Sequence, residues 1–309
     1  MSEAIYDVAI IGGGPAGMSA AIYTGRAHLQ TCMLEGLSTG GQMFNTATIE
    51  NYPGFARIDG PDLSQKMEAQ AKEWGVEIQF GQVTEIQRAG ELFQVTTSDK
   101  ETVLARTIIL ATGSTPKKLE VPGEAEFAGK GVSYCATCDG AFFRGKDVAV
   151  VGGGDSAVEE SLYLTRLVNR VTIIHRRDRL RATKHLQERA FTDPRIEFLW
   201  DSEVEAIEGE GTVKQLRVKN KKTDGVTILP VAGVFIYVGM RPSTEFLKGL
   251  VKLDAWGYVE AGEDTLTSMP GVFAAGDIRS KGLRQIVTAV ADGAVAAMAA
   301  ERYLGKRGL

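Results

Sequence analysis

Cysteine and histidine are scarce, with three of each in 309 residues. That scarcity excludes a disulfide scaffold, which needs paired cysteines at high density, and it points to a reducing cytoplasm. No apolar run reaches the ~18 residues that a membrane-spanning helix requires. Positive charge is not in excess: 35 Lys and Arg stand against 39 Asp and Glu, and the net charge of −4 gives no footprint for nucleic acid. The N-terminal run MSEAIYDVAIIGGG lacks a basic leader and a small-residue cleavage site, so it reads as a first strand rather than a signal peptide. Low-complexity tracts are absent. A chain of this length with 44% hydrophobic and 24% charged residues reads as two globular domains.

Glycine, by contrast, is abundant, and it falls in two related places. The segment 7–36, DVAIIGGGPAGMSAAIYTGRAHLQTCMLEG, aligns without a gap on 147–176, DVAVVGGGDSAVEESLYLTRLVNRVTIIHR. Asp7 matches Asp147, Tyr23 matches Tyr163, and Arg26 matches Arg166. Each copy reads as an apolar strand, a glycine turn, a helix and a second apolar strand. That is a βαβ unit with parallel strands and a right-handed crossover. The fold class is therefore α/β, with two Rossmann-like dinucleotide-binding domains. The second is inserted in the first, so that 1–116 and 244–309 form one domain and 117–243 the other. FQVTTS (93–98) and TVLARTIIL (102–110) suggest an added antiparallel layer. The last helix is expected to bury an apolar stripe at 286, 287, 290, 294 and 298.

In the first turn Gly12, Gly14 and Gly17, with Pro15 and Ala16 between them, have the GxGxxG spacing. The first glycine allows the turn, the second lets backbone approach a pyrophosphate, and the third lets helix pack on strand. Glu35 ends the following strand, where an acid can bind a ribose diol; it would repel a 2′-phosphate, which suits FAD or NAD. The second turn carries Gly152, Gly154 and Ala157 around Asp155 and Ser156. Opposite Glu35 it has His175, followed by Arg176, Arg177 and Arg181. Arginines clustered at this register favour the 2′-phosphate of NADPH.

Cys135 and Cys138 stand in CATCD, a spacing that permits a small disulfide ring and commonly goes with a lowered thiol pKa. Zinc binding and two structural cysteines are the alternatives, although no histidine has ligand spacing with this pair. Asp139 can exchange a proton with a thiol. Its neighbour Cys138 is therefore read as the cysteine facing the flavin. Cys32, inside an apolar run, reads as a buried hydrophobe, and His28 and His185 as surface or packing residues. Loops after strands complete a flavin pocket: Gly40, Gly41 and Gln42; Asn51; Ala111, Thr112 and Gly113; Gly276 and Asp277; and Arg284, Gln285 and Ile286 at the last helix.

Taken together, GGGPAG, TGGQ, IENYPGF, ATG, CATCDG, GGGDSAVEE, HRRDRLRA, VGMRP, AGD and RQIVTA resemble the low-molecular-weight, bacterial-type thioredoxin reductases over nearly the whole chain, in the family's order. The resemblance implies a homodimer with FAD in the discontinuous domain, and NADPH and the dithiol in the inserted one. It further implies a Cys135–Cys138 disulfide that passes electrons from FAD to thioredoxin, with domain rotation between half-reactions. Lys117 and Lys118 occupy a loop where the family often shows arginine. The nearest rival is the flavoprotein component of an alkyl hydroperoxide reductase, which carries an extra N-terminal redox region. Glutathione-reductase-type enzymes place a wider cysteine pair in the FAD domain. A flavin-dependent dithiol oxidase should lack the arginine cluster, and a redox-sensing flavoprotein would use these sites without turnover.

Overall fold

Runs of β-branched and aliphatic residues, buried on both faces, make the parallel strands in this computed structural model, which describes residues 5–46, 48–247 and 249–308. The chain divides into two compact units, Met1–Thr115 with Arg241–Leu309, and Pro116–Met240. The first opens with β1 (Ile5–Ile11), α1 (Pro15–Arg26), β2 (Thr31–Glu35), α2 (Gly41–Phe44), α3 (Gly60–Glu73), β3 (Glu77–Phe80), β4 (Val83–Ala89), β5 (Leu92–Thr97) and β6 (Thr102–Leu110). β3, β2, β1 and β6 lie side by side and parallel. The antiparallel pair β4–β5 is hydrogen-bonded into the same sheet through the first half of β6.

β7 (Ser114–Pro116) leads to the second unit. There follow β8 (Val132–Ser133), α4 (Ala136–Asp139), β9 (Asp147–Gly152), α5 (Asp155–Leu164), β10 (Arg170–Ile174), α6 (Lys184–Thr192) and β11 (Ile196–Leu199). After these come β12 (Ser202–Glu210), β13 (Thr212–Asn220), β14 (Val226–Pro230) and β15 (Gly233–Tyr237). The parallel sheet has the order β11-β10-β9-β15-β8, and β12 to β14 form a separate antiparallel sheet. One apolar core packs α5 and α6 on the parallel sheet; another, including Val151, Ile174, Leu216 and Ile236, fills the face toward the antiparallel sheet. The chain returns along β16 (Met240–Pro242), which pairs with β7 as a two-stranded ribbon. β17 (Val272–Ala274) then adds to the second half of β6, and α7 (Ile286–Gly305) ends the first unit.

The buried face of α7 differs from the expected stripe. Ala289, Gly293, Ala296, Ala297, Ala300 and Leu304 are buried, while Val287 and Met298 from the expected stripe stay exposed, as does Val295. The reason is close helix packing. Any side chain at Gly293 would collide with the Ala16 carbonyl of α1, and Ser19 Oγ donates to the Val290 carbonyl at 2.7 Å. Small residues let the two backbones approach, so the alanines rather than the larger apolar residues form the seam.

Candidate functional site

In the first unit, the loops after three adjacent parallel strands converge. Gly12 follows β1, Ala111 follows β6, and Gly276 follows β17; the Ala111 and Ala275 amides donate at 2.8 Å to Ile11 and Leu110, the last residues of the neighbouring strands. Gly12 has φ 106°, and a side chain there would collide with the Ala111 carbonyl. Gly17 lies against the Gly12 carbonyl, whereas the bare face of Gly14 meets open space. Pro15 opens α1, whose first turn carries no acid, so its free amides favour an anion. Ala16 is buried.

Glu35 stands at the mouth of this turn and accepts the Gly13 and Gly36 amides at 2.6 and 2.7 Å. Gly40 donates to the Gly13 carbonyl at 2.7 Å, bringing Gly40, Gly41 and the exposed Gln42 to the same place. Asn51 Nδ2 donates to Gln285 Oε1 at 2.9 Å, joining residues far apart in sequence. Gln285 caps α7 reciprocally with Thr288, and Ile286 begins the helix, half-buried. The Arg284 guanidinium stacks 3.9 Å from the Tyr258 ring centroid. Thr112 Oγ1 donates to the Ser243 carbonyl and Gly113 accepts the Ser243 amide, so these two residues hold the returning chain.

Asp277 is a residue in want of a ligand. Its Oδ1 is buried with no hydrogen-bond partner among the described residues, and burial pushes its carboxyl above the ordinary range. The orphaned oxygen, the bare Gly14 and the helix N-terminus together fit the ribityl chain and pyrophosphate of FAD. Asp292, which the sequence did not single out, braces this turn: it accepts the Gly276 amide at 2.9 Å and pairs with Arg279 and Lys281 at 2.6 and 2.8 Å. It sits on α7, sixteen residues from Gly276, so no local pattern marks it.

In the second unit, a cleft of about 580 Å³ is lined by Gly152, Gly153, His175, Arg176, Arg181 and the pair Lys117–Lys118, among others. Arg181 and Ala182 donate to the Gly153 carbonyl at 2.6 and 3.2 Å, folding the basic segment onto the glycine turn. Asp155 holds it there by accepting the Thr183 amide at 2.6 Å. Gly154 faces open space, Ser156 is exposed and Ala157 is buried. Arg177 is exposed and does not line the cleft. His175 is buried against Gly153, and burial first, then Arg181, lower its pKa, so the ring is neutral. Its Nε2 is buried without a hydrogen-bond partner among the described residues. That orphan and the four cations Arg176, Arg181, Lys117 and Lys118 fit a phosphorylated dinucleotide. The lysines were visible in sequence only as a departure from arginine.

The cysteines form a disulfide on α4. Cys135 caps the helix, its Sγ accepting the Cys138 amide at 3.2 Å, and Ser133 Oγ receives the Cys135 amide at 3.1 Å. Cys138 is exposed, and Cys135 and Asp139 are half-buried. From the side of β8, Tyr134 donates to Glu124 at 2.7 Å. Among the described residues no group of three or more His, Cys, Asp or Glu could hold a metal. Cys32 is fully buried, and burial pushes its thiol up to about 12, so it stays unreactive. His28 and His185 are exposed.

Close to the cysteines, burial and then Glu159 push the Glu160 carboxyl up to about 8. The folded chain therefore holds a proton that the unfolded chain releases, so stability falls as pH rises from about 4.5 to about 8. Glu160→Gln is expected to gain on the parent by up to about 1.4 kcal/mol per pH unit across that window, measured by urea denaturation at about pH 5 and about pH 8. An equal difference at both pH values would contradict this.

The model of the pyridine nucleotide-disulphide oxidoreductase family matches residues 6–293. The chain is 52% identical to a thioredoxin reductase of Listeria innocua over 303 residues, covering 98% of this chain and 95% of that protein. It is 50% identical to one of Bacillus subtilis over 312 residues, covering 98% and 96%. A crystal structure of Lactococcus lactis thioredoxin reductase, 49% identical, superposes with a TM-score of 0.95 over 97% of this chain and 99% of that one. No described helix is long and apolar enough to cross a membrane.

Proposed function

This chain belongs to the pyridine nucleotide-disulphide oxidoreductase family, and from that premise we propose that it is an FAD-dependent, NADPH-dependent reductase of oxidised thioredoxin. The observation that carries the reading is the placement of the Cys135–Cys138 disulfide and a dinucleotide cleft walled by Arg176, Arg181, Lys117 and Lys118 in one unit. FAD and NADPH, when bound, supply the two-electron hydride chemistry. In the first unit Gly12 to Gly17, Glu35 and Asp277 would hold the flavin nucleotide, with Gly40, Gly41, Asn51, Ala111, Arg284 and Gln285 around it.

The disulfide takes up two electrons as its S–S bond breaks. Cys138, read as the flavin-facing cysteine, and Cys135 are released as thiolates, and Asp139 would protonate one of them. The thiolate of the pair then attacks one sulfur of the thioredoxin disulfide and expels the other. The second cysteine resolves the mixed disulfide, which regenerates the Cys135–Cys138 bond and releases reduced thioredoxin. Because the cysteines and the arginine cleft share the inserted unit, that unit must present each of them in turn to the flavin. The ribbon of β7 and β16 is the hinge for that rotation. A homodimer completes the reading, and the scarcity of cysteine supports a reducing cytoplasm.

Purified protein loaded with FAD is expected to turn over NADPH continuously, beyond the equivalents that reduce its own flavin and disulfide, only when oxidised thioredoxin is added, and to sediment at twice the mass of the chain. NADPH oxidation that ignores thioredoxin would overturn the reading. A cross-link that fixes the inserted unit to the other is expected to stop turnover while FAD stays bound; undiminished turnover would remove the rotation.

A further inference from the structure

One side chain joins the dinucleotide turn to the dithiol. Tyr237 is the last residue of β15, paired in register with Gly152 of β9, and its hydroxyl accepts the Ala136 amide at 2.9 Å. Ala136 is fully buried between the two cysteines, so no water replaces that acceptor. The loop beneath is firmly seated: the bare face of Gly140 meets Leu164 of α5 and Leu167 just beyond that helix.

We propose that Tyr237 is a positioning residue for the Cys135–Cys138 pair, holding the Ala136 amide away from the cysteine sulfurs and so setting how readily the pair is reduced. At the start of a helix, amide donors stabilise a thiolate. The Cys138 amide already points at Cys135 Sγ, at 3.2 Å. The Ala136 amide is a second donor in the same turn, and Tyr237 occupies it. Freed from the phenol, this buried donor finds its strongest acceptor in a thiolate, which exists only in the reduced pair. Removing the hydroxyl therefore favours the dithiol and makes its thiol more acidic. Burial, then the Glu160 carboxyl on α5, keeps the phenol protonated far above its usual range, with Asp139 adding in the same sense. The hydroxyl is thus a constant partner across working pH.

The inference rests on the reading of the pair as redox-active, and its test does not need thioredoxin. FAD-loaded Tyr237→Phe, which keeps the ring and its packing, is equilibrated with glutathione buffers, and the free thiols are counted by alkylation. Buried Cys32 gives the constant background. The dithiol is expected to be favoured by about five- to tenfold over the parent, with the alkylation rate titrating at lower pH. Ala136→Pro supplies the second background, since it deletes the amide itself at a first helical position that accepts proline. There, adding Tyr237→Phe is expected to change nothing. No shift in Tyr237→Phe overturns the proposal, and so does an equal shift in both backgrounds. A parent protein that fails to reduce thioredoxin, with the shift intact, would sink the functional reading and leave this inference standing.

Discussion

Cys138→Ser is expected to lower thioredoxin turnover by roughly a thousandfold or more, while single-turnover bleaching of the bound flavin by NADPH stays within about twofold of the parent. The split follows from where each half of the reaction lives. In the proposed route, electron entry uses the arginine cleft and the flavin turn, neither of which contains Cys138. Electron exit needs a disulfide that breaks and re-forms, and serine offers no sulfur to close it. The substitution is structurally mild, because Cys138 is exposed and its amide, not its side chain, donates to Cys135 Sγ. A melting temperature equal to that of the reduced parent accompanies the loss. Substantial residual turnover with thioredoxin would take the pair out of the mechanism.

The double change Arg176→Gln with Arg181→Gln is expected to raise the NADPH KM by roughly 100-fold and the NADH KM by less than about threefold. Each exposed guanidinium is taken at about 1.4 kcal/mol of phosphate binding, near the low end for charged hydrogen bonds, and each such step is a factor of ten. NADH lacks the 2′-phosphate and so loses little. His175 cannot compensate, because burial, the largest cause of its lowered pKa, still disfavours the charged ring when the two arginines are gone. Arg177, exposed outside the cleft lining, is expected to contribute less than either. Equal losses with both nucleotides would refute a 2′-phosphate clamp here and return these arginines to the status of a solvated basic stretch.

The parts that sequence made plain are those whose signal is local. The glycine turns, their flanking strands and helices, the buried Cys32 and the paired cysteines all follow from short-range spacing. The structure builds β1, α1 and β2, and again β9, α5 and β10, where the 140-residue offset places them. What escaped was set by partners distant along the chain. Asp292 braces the Gly276 turn from another element, and Tyr237 reaches a cysteine loop about a hundred residues earlier. The core face of α7 departs from the expected stripe because hydrophobic size does not decide it. The α1 contact instead selects small residues, and nothing in the local pattern of α7 announces how closely another helix will approach. β6 showed a related limit: a single strand exchanges an antiparallel partner, β5, for a parallel one, β17, halfway along one edge.

The central claim, that electrons run from NADPH to thioredoxin through this disulfide, is tested most directly by an anaerobic titration of the yellow, FAD-loaded protein. NADPH is expected to bleach it, and oxidised thioredoxin added next to restore the colour with two thioredoxin thiols formed per NADPH consumed. Bleaching that thioredoxin fails to reverse would contradict the account.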